Sequence, residues 1–387
     1  MKHIWLWIVG ALILIPLLAI AAAALSNIGL PTRSQVVERL SEAEKARLAE
    51  MFHLRGILGN TVWPGWGEAD IPVIVHNEAY AFLVGHPDPP PDGWTMVPRN
   101  EGRGGPWQLV PDDTFQGQPY YRQPLTDRKE TPENFTVLVG DRWVATLGTY
   151  EFARVDFYAG FREDLPPFLR PIVPLRLVWK LIMGDTETYI GALAHEAFHA
   201  YQGMEVPERL AEAEFAAPLE DQYPWEDEAA EEAWQAELDA LHAAVTAASD
   251  DEAAQLARQF LGLRQERRAA HALSANLVDY ERQREWLEGL AKYAELVIQR
   301  EAGRSPSYTP LPAIADDPDF HAYRTRERLW SAQLGEVRRM TSRSGETRFY
   351  YSGMAQAVLL DRFAPGWKAQ AWTPGIWLED LLAEAIP

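Results

Sequence analysis

The chain has 387 residues, of which 47% are apolar, so it is long enough to bury the core of one large domain or two ordinary ones. It contains no cysteine, which excludes disulfide frameworks, thiolate metal sites and cysteine nucleophiles. The formal net charge of -20 argues against a nucleic-acid partner, because phosphate binding needs a basic surface.

The first predicted element is an apolar segment at the N-terminus. The run Ile4–Leu25 is about 22 residues long, enough to cross the hydrocarbon core of a bilayer. We therefore expect residues 1–25 to be a transmembrane anchor, or a signal peptide cleaved near the small residues Ala22–Ala24. Lys2 on the short side favours a cytoplasmic N-terminus, which would leave the rest of the chain outside the cytoplasm, anchored to the membrane or secreted.

Residues 26–170 are predicted to form a smaller, strand-containing region. This part of the chain is rich in Pro and Gly and has short apolar runs bounded by turn residues. Asp141 and Arg142 separate two of these runs and indicate a hairpin turn. The runs are Ile71–His76, Phe135–Val139 and Trp143–Leu147.

After residue 170 the apolar residues recur at helical spacing, so we expect residues 171–387 to form a mostly helical domain and the fold to be α+β. Sixteen acidic residues and a single Arg lie between Glu205 and Glu252. This charge run predicts an acidic helical hairpin inserted at about 205–283, with a solvated outer face. Asp250 and Asp251 are the predicted cap of its second long helix.

The strongest chemical signal is the pattern HExxH formed by His195, Glu196 and His199. Two His four residues apart on a helix differ by about 40° around the axis and roughly 6 Å along it, so both imidazoles can reach one ion. Glu196 lies beside that ion and can accept a proton from a water that the metal activates. The pattern predicts a catalytic Zn²⁺ site, which needs a third protein ligand and one open position.

Glu288 is the leading candidate for the third ligand among the many acidic residues. It is followed at once by Gly289 and soon by Ala291, small residues that let its helix approach another closely. Ordinary helix packing explains the same Gly, so this spacing alone leaves the ligand open.

Two further segments resemble the aminopeptidase N family of gluzincin metallopeptidases. Residues Trp286–Glu295, W-L-E-G-L-A-K-Y-A-E, are similar to the family's W-L-N-E-G-F-A-x-Y-x-E segment, and Tyr350–Ala355, Y-Y-S-G-M-A, to its Y-x-K-G-x-A helix start. The resemblance implies a gluzincin-like fold with Zn²⁺. It implies a residue set with separate roles: His195, His199 and Glu288 as ligands, Glu196 as general base and Tyr350 as oxyanion donor.

Parts of the family pattern differ in this chain. Leu287 and Ser352 stand where the family has Asn and Lys, and the G-A-M-E-N segment that binds a free amino terminus has no counterpart. Endopeptidase and exopeptidase action therefore both stay open. Tyr351 is the alternative oxyanion donor to Tyr350. Glu295, two turns after Glu288, is expected either to accept a hydrogen bond from a ligand imidazole or to form an exposed salt bridge.

These patterns together predict a zinc metallopeptidase that hydrolyses peptide or protein substrates outside the cytoplasm. One alternative is a non-catalytic binding or scaffold protein on a gluzincin fold, in which zinc is structural or absent. Another is a metal-dependent hydrolase of a non-peptide amide or ester, which would share the site and differ only in the substrate groove.

Overall fold

The structure is a computed structural model that describes residues 20–86, 88–126, 131–132 and 136–387, together with Leu14, Ile15 and Leu18. The α+β class predicted from the sequence is confirmed, because one sheet is followed along the chain by a large helical part. All strands of the described residues lie between positions 73 and 148.

The sheet has eight strands in the order β4-β3-β7-β8-β1-β2-β6-β5. The central pair β1 and β8 is parallel, and every other neighbouring pair is antiparallel. The strands are β1 (Val73–His76), β2 (Tyr80–Val84), β3 (Trp94–Met96), β4 (Glu101–Arg103), β5 (Gln108–Leu109), β6 (Tyr121–Pro124), β7 (Val137–Val139) and β8 (Arg142–Gly148).

The predicted hairpin joins β7 to β8, but its turn is one residue earlier than expected. Val139 pairs with Arg142, so Arg142 already belongs to β8 and the turn residues are Gly140 and Asp141. Gly140 has φ of 64°, in the left-handed region that glycine enters without steric cost. Phe135, at the start of the run predicted for β7, lies outside the described residues.

The helical part surrounds a core that is continuous with one face of the sheet. The helices are α1 (Glu42–Val62), α2 (Tyr150–Asp164), α3 (Leu175–Ile182), α4 (Thr186–Glu205), α5 (Pro207–Ala216), α6 (Glu228–Thr246), α7 (Asp250–Ala270), α8 (Ala275–Arg284), α9 (Leu290–Arg304), α10 (Arg326–Glu336), α11 (Thr347–Phe363), α12 (Trp367–Gln370) and α13 (Leu378–Ala385). Short 3₁₀ turns lie at Ala217–Gln222, Pro312–Ile314 and Val337–Ser342, and one wide π turn lies at Glu285–Gly289.

The apolar run predicted as an anchor or signal, within residues 1–25, falls mostly outside the described residues. Within the part of the chain that the structure does describe, no helix is both long enough and apolar enough to cross a bilayer.

Helix α4 carries the HExxH pattern through the centre of the molecule. Its start is capped by Asp185, whose side chain accepts a hydrogen bond from the Thr188 backbone amide at 3.0 Å. The helix packs against β8, where the ring of Trp143 lies so close to Gly203 that a Cβ there would meet a ring carbon at 2.5 Å. On another side Phe198 makes edge contacts with the rings of Trp63 and Trp66, with centroids 5.2 and 5.3 Å apart. Packing on several sides fixes the direction in which the two histidines point.

The acidic stretch Glu205–Glu252 covers α5, a 3₁₀ turn, α6 and the first turn of α7, so the range predicted as one hairpin, about 205–283, holds the four helices α5 to α8. Helices α6 and α7 pack against each other, and part of the charge is buried rather than solvated. Arg264 and Arg267 on α7 are 1% and 3% exposed, and Glu237 on α6 is fully buried between them. The cap of α7 is Ser249, which accepts from the Glu252 amide, while Asp250 and Asp251 lie in the first turn. The expectation of an Asp cap is therefore wrong by one or two residues. The expectation of a solvated face fails for the inner side of the pair.

These charges form a buried ionic network, defined here as Arg264, Arg267 and Arg268 with Glu237, Glu281, Glu285 and Glu379. Arg264 contacts three carboxylates, with donor to acceptor distances of 2.8 Å to Glu237, 2.5 Å to Glu285 and 2.9 Å to Glu379. Burial alone would raise the pKa of Glu281, but the neighbouring Arg267 and Arg268 lower it to about 2. The network fastens the helical pair to the π turn at Glu285–Gly289.

Candidate metal centre

Three side chains predicted as ligands meet in the core. His195 Nε2 lies 3.1 Å from His199 Nε2, and Glu288 Oε2 lies 3.3 Å from the first nitrogen and 3.2 Å from the second. His195 and His199 are each 8% exposed and Glu288 is 7% exposed. Glu288 comes 93 positions after His195 and 89 positions after His199 in the chain, and the fold brings one atom of each side chain together in a buried triangle.

The size of this triangle fits zinc. Protein nitrogen and oxygen ligands lie about 2.0–2.1 Å from zinc, and two corners of such a tetrahedron are about 3.3–3.4 Å apart. The observed edges of 3.1–3.3 Å are close to that separation. Two imidazoles and one carboxylate are also a common ligand set of catalytic zinc, leaving one position for water or substrate.

A close crossing of two helices places Glu288. The π turn that holds Glu288 and Gly289 lies against α11 at Gly353, where the two glycines are in backbone contact. A Cβ on Gly289 would lie 2.5 Å from the Gly353 Cα, and a Cβ on Gly353 would lie 2.4 Å from the Glu285 carbonyl oxygen. The same crossing brings Tyr350, one turn before Gly353, to the ligand triangle.

Substituting Gly353 by Ala should disrupt this crossing. The new methyl group meets backbone atoms, so the two helices must separate, and we expect about 3 kcal/mol of lost stability together with weaker zinc binding. Gly262→Ala is the matched control, because nothing lies within 4 Å of its Cβ position on α7. Urea unfolding and zinc titration compare the two variants, and equal midpoints would contradict the prediction.

Each ligand has a second partner that orients it. His199 Nδ1 lies 2.8 Å from Gln202 Oε1, and the amide nitrogen of Gln202 donates to the Trp286 carbonyl oxygen at 3.1 Å. His195 Nδ1 lies 3.4 Å from a carboxylate oxygen of Glu295. The second carboxylate oxygen of Glu288 accepts from Arg284 at 2.8 Å. Such outer contacts set imidazole orientation and leave one oxygen of Glu288 facing the histidines.

The sequence pattern predicts Glu295 but neither Gln202 nor Arg284. Both have a local signal, because Gln202 is three residues after His199 on α4, and Arg284 is four residues before Glu288. Side chains at these separations lie on the same helix face. Glu295 also pairs with Lys292 at 2.7 Å, and this salt bridge is largely buried, with side chains 13% and 16% exposed, rather than exposed as the alternative predicted.

The charges around the triangle are strongly coupled. Burial would raise the pKa of Glu288, but His199 and Arg284 hold it well below its usual range. Burial would likewise lower the pKa of His195, but hydrogen bonds with Glu288 and Glu295 raise it to about 10. Without metal, the imidazole of His195 therefore keeps a proton at neutral pH.

This protonation predicts pH-dependent zinc affinity. An imidazole that binds zinc must be neutral, so zinc has to displace the proton of His195. With one proton displaced, the Kd for zinc should rise about tenfold each time the pH is lowered by one unit. Competition with a fluorescent zinc chelator at several pH values between about 6 and 8 measures the slope. A Kd that does not change over this range would contradict the prediction.

Glu196 lies beside the triangle and is partly buried. Its Oε2 atom makes no hydrogen bond to any described residue. Burial raises the pKa of Glu196 to about 7. The charges of His195 and His199 oppose this rise, and the charges of Glu288 and Glu214 add to it. A carboxylate with a pKa near the working pH is well suited to take up and return a proton.

The two candidate tyrosines have different surroundings. The ring of Tyr350 stacks on the imidazole of His195, with centroids 5.8 Å apart and planes 10° from parallel. Burial, followed by the charge of Glu288, raises the pKa of Tyr350, so it is a neutral phenol and a hydrogen-bond donor. Tyr351 instead donates to Gln333 on α10 at 2.8 Å. The structure brings Tyr350, and not Tyr351, to the ligand triangle.

A second His and carboxylate group lies at the start of α4. His321 Nδ1 is 4.0 Å from Asp185 Oδ2 and 3.8 Å from Glu187 Oε2. Arg326 pairs with the same Asp185 oxygen and already supplies a positive charge there. This group ties the start of α4 to the segment before α10, and we assign it no metal.

Compared with protein-family models, curated proteins and solved structures, the chain matches none of them. The resemblance to the aminopeptidase N family therefore rests only on the HExxH pattern and on the sequence segments Trp286–Glu295 and Tyr350–Ala355.

Proposed function

We propose that this protein is a zinc-dependent metallopeptidase of the gluzincin type that hydrolyses peptide bonds outside the cytoplasm. One observation carries the proposal: the ligand atoms of His195, His199 and Glu288 form a buried triangle of zinc-binding size, with the uncommitted carboxylate oxygen of Glu196 beside it. A purely structural zinc site has no need for a base at that place.

Each residue of the site has a role in this proposal. Zinc held by His195, His199 and Glu288 would lower the pKa of a water and polarise the scissile carbonyl. Glu196 would take a proton from the water at its free oxygen and return it to the leaving amine, as its raised pKa allows. Tyr350, as a neutral phenol, would donate a hydrogen bond to the developing oxyanion.

A cavity that Ala192 helps to line lies beside α4. Its volume is about 560 Å³, and it is lined mainly by apolar side chains. Ala192 lines it four residues before Glu196, and residues four apart share a helix face. The other lining residues include Phe152, Phe157 and Trp179.

The full chain should bind about one zinc ion, measured by elemental analysis, and cleave an internally quenched peptide library in a chelator-sensitive way. Tyr350→Phe should lower kcat by about a hundredfold, because one oxyanion donor is lost. Tyr351→Phe, next to it in the chain, should leave kcat within about twofold, since its hydroxyl contacts Gln333.

The other outcomes separate the alternatives. If the protein contained no zinc and cleaved no peptide, the proposal would be overturned and the scaffold protein favoured. Zinc without peptide cleavage, but with turnover of small amide or ester substrates, would favour the non-peptide hydrolase. If Tyr350→Phe and Tyr351→Phe lowered kcat equally, the assignment of Tyr350 as the oxyanion donor would be wrong.

A further inference from the structure

Helix α3 carries large apolar side chains on two opposite sides, and among the residues that the structure describes only one of these sides is packed against protein. Leu175 and Trp179 are 0% and 4% exposed and pack into the core. Leu177, Leu181 and Ile182 are 54%, 75% and 58% exposed. Leu177 and Leu181 are four residues apart, so they share one outward face of the helix. An eight-residue helix thus presents large apolar side chains to its surroundings.

The segment around α3 differs in charge from the rest of the chain. Residues 165–183 contain Arg170, Arg176 and Lys180 and no acidic residue, although the whole chain has a net charge of -20. Lys180 pairs with Asp319 at 3.4 Å, and its side chain stays 64% exposed. The same segment includes Phe168, which is 73% exposed. Apolar side chains interspersed with Lys and Arg are typical of surfaces that rest on anionic lipid headgroups.

The end of the N-terminal apolar run is fixed beside this segment. The amide nitrogen of Asn27 donates to the Val173 carbonyl oxygen at 2.7 Å, and its amide oxygen accepts from the Leu175 backbone at 3.0 Å. Arg176 adds a hydrogen bond to the Ser26 carbonyl oxygen at 2.9 Å. Residues 26–27, which follow a run long enough to span a bilayer, are therefore tied to the first turn of α3.

We propose that the outward face of α3 formed by Leu177 and Leu181, here called the docking face, rests on a bilayer that contains anionic lipid. The apolar side chains would enter the boundary between headgroups and acyl chains, and Arg170, Arg176 and Lys180 would lie among the headgroups. The position of Asn27 and the local positive charge both favour lipid over a protein partner as the occupant. The proposal does not depend on zinc or on hydrolysis.

The absence of native cysteine makes a site-specific test straightforward. Leu181→Cys in the full chain is labelled with a small fluorophore, and the protein is reconstituted into phosphatidylcholine and phosphatidylglycerol vesicles. Brominated acyl chains should quench the label at Leu181→Cys several-fold more than the same label at Glu232→Cys, an exposed position on α6. Leu177→Cys is a second position on the docking face, in case the first label disturbs folding.

Two results would overturn the proposal. Equal quenching at the docking-face positions and at Glu232→Cys would place the docking face away from the bilayer. A label that is shielded from aqueous iodide but not quenched by brominated lipid would show that protein covers the docking face, either another segment of this chain or a second copy. Stronger quenching that also decreases when phosphatidylglycerol is left out supports both the apolar and the charged part of the proposal.

Discussion

Replacing Glu196 by Gln should leave zinc bound and lower kcat for peptide hydrolysis by about a hundredfold to ten-thousandfold. Gln has nearly the shape of Glu but cannot accept the proton that a carboxylate with a pKa of about 7 can take up. The ligand triangle does not include Glu196, so its geometry should persist. Elemental analysis for zinc and steady-state kinetics on a cleaved peptide measure the two effects separately.

Two matched variants make this result specific. Glu232→Gln removes an exposed carboxylate on α6 and should change neither zinc content nor kcat. Glu295→Gln alters the partner of His195 Nδ1 and should weaken zinc affinity by about tenfold to a hundredfold. If Glu196→Gln lost its zinc, or kept full activity, the role of Glu196 as general base would be wrong.

Substituting Arg264 by Leu should destabilise the protein by about 3–5 kcal/mol, because it removes one partner from a buried ionic network. The change leaves the carboxylates of Glu237, Glu285 and Glu379 without the guanidinium that contacts all three. Glu285 also accepts from Ser352 Oγ at 2.5 Å, so a shift of its carboxylate reaches the crossing of the π turn with α11. We therefore expect weaker zinc binding as well as a lower urea midpoint.

Arg339→Leu is the control for this variant. Arg339 pairs with Glu336 three residues away, and its side chain is 65% exposed. Pairs of this kind contribute about 0–1 kcal/mol. If both Arg variants unfolded at the same urea concentration, the network would not hold the helical pair to the metal centre.

Local patterns and the family resemblance selected three side chains that the structure brings together in one buried triangle, and their binding of zinc stays a prediction. HExxH needs only helical periodicity to bring His195 and His199 together, and the flanking apolar residues make that helix a buried one. The prediction of Glu288 required more than helical spacing, because spacing alone does not select one carboxylate among many. Glu288 was selected by the resemblance of Trp286–Glu295 to the aminopeptidase N segment, because Gly289 by itself leaves the ligand open. The packing role of Gly289 is visible only in its backbone contact with Gly353.

Features that depend on distant contacts escaped prediction. The charge run at Glu205–Glu252 correctly indicates helices, but net charge carries no information about which carboxylates find an Arg on a neighbouring helix. Glu237 is buried because Arg264 and Arg267 come from α7, and Glu379 joins them from α13. Likewise, the exposure of Leu181 follows from how α3 packs, and the sequence shows only that the helix is apolar.

The buried ionic network has a consequence for how this chain can be divided. An accessory hairpin joined to its host only through its two ends could be excised and the gap closed by a short linker. The α6 and α7 pair is not separable in that way, because deleting it would remove the Arg partners of Glu281 and Glu285 and leave Glu379 with Arg282 alone. A shortened chain would need apolar or amide replacements at those three positions before it could be expected to fold.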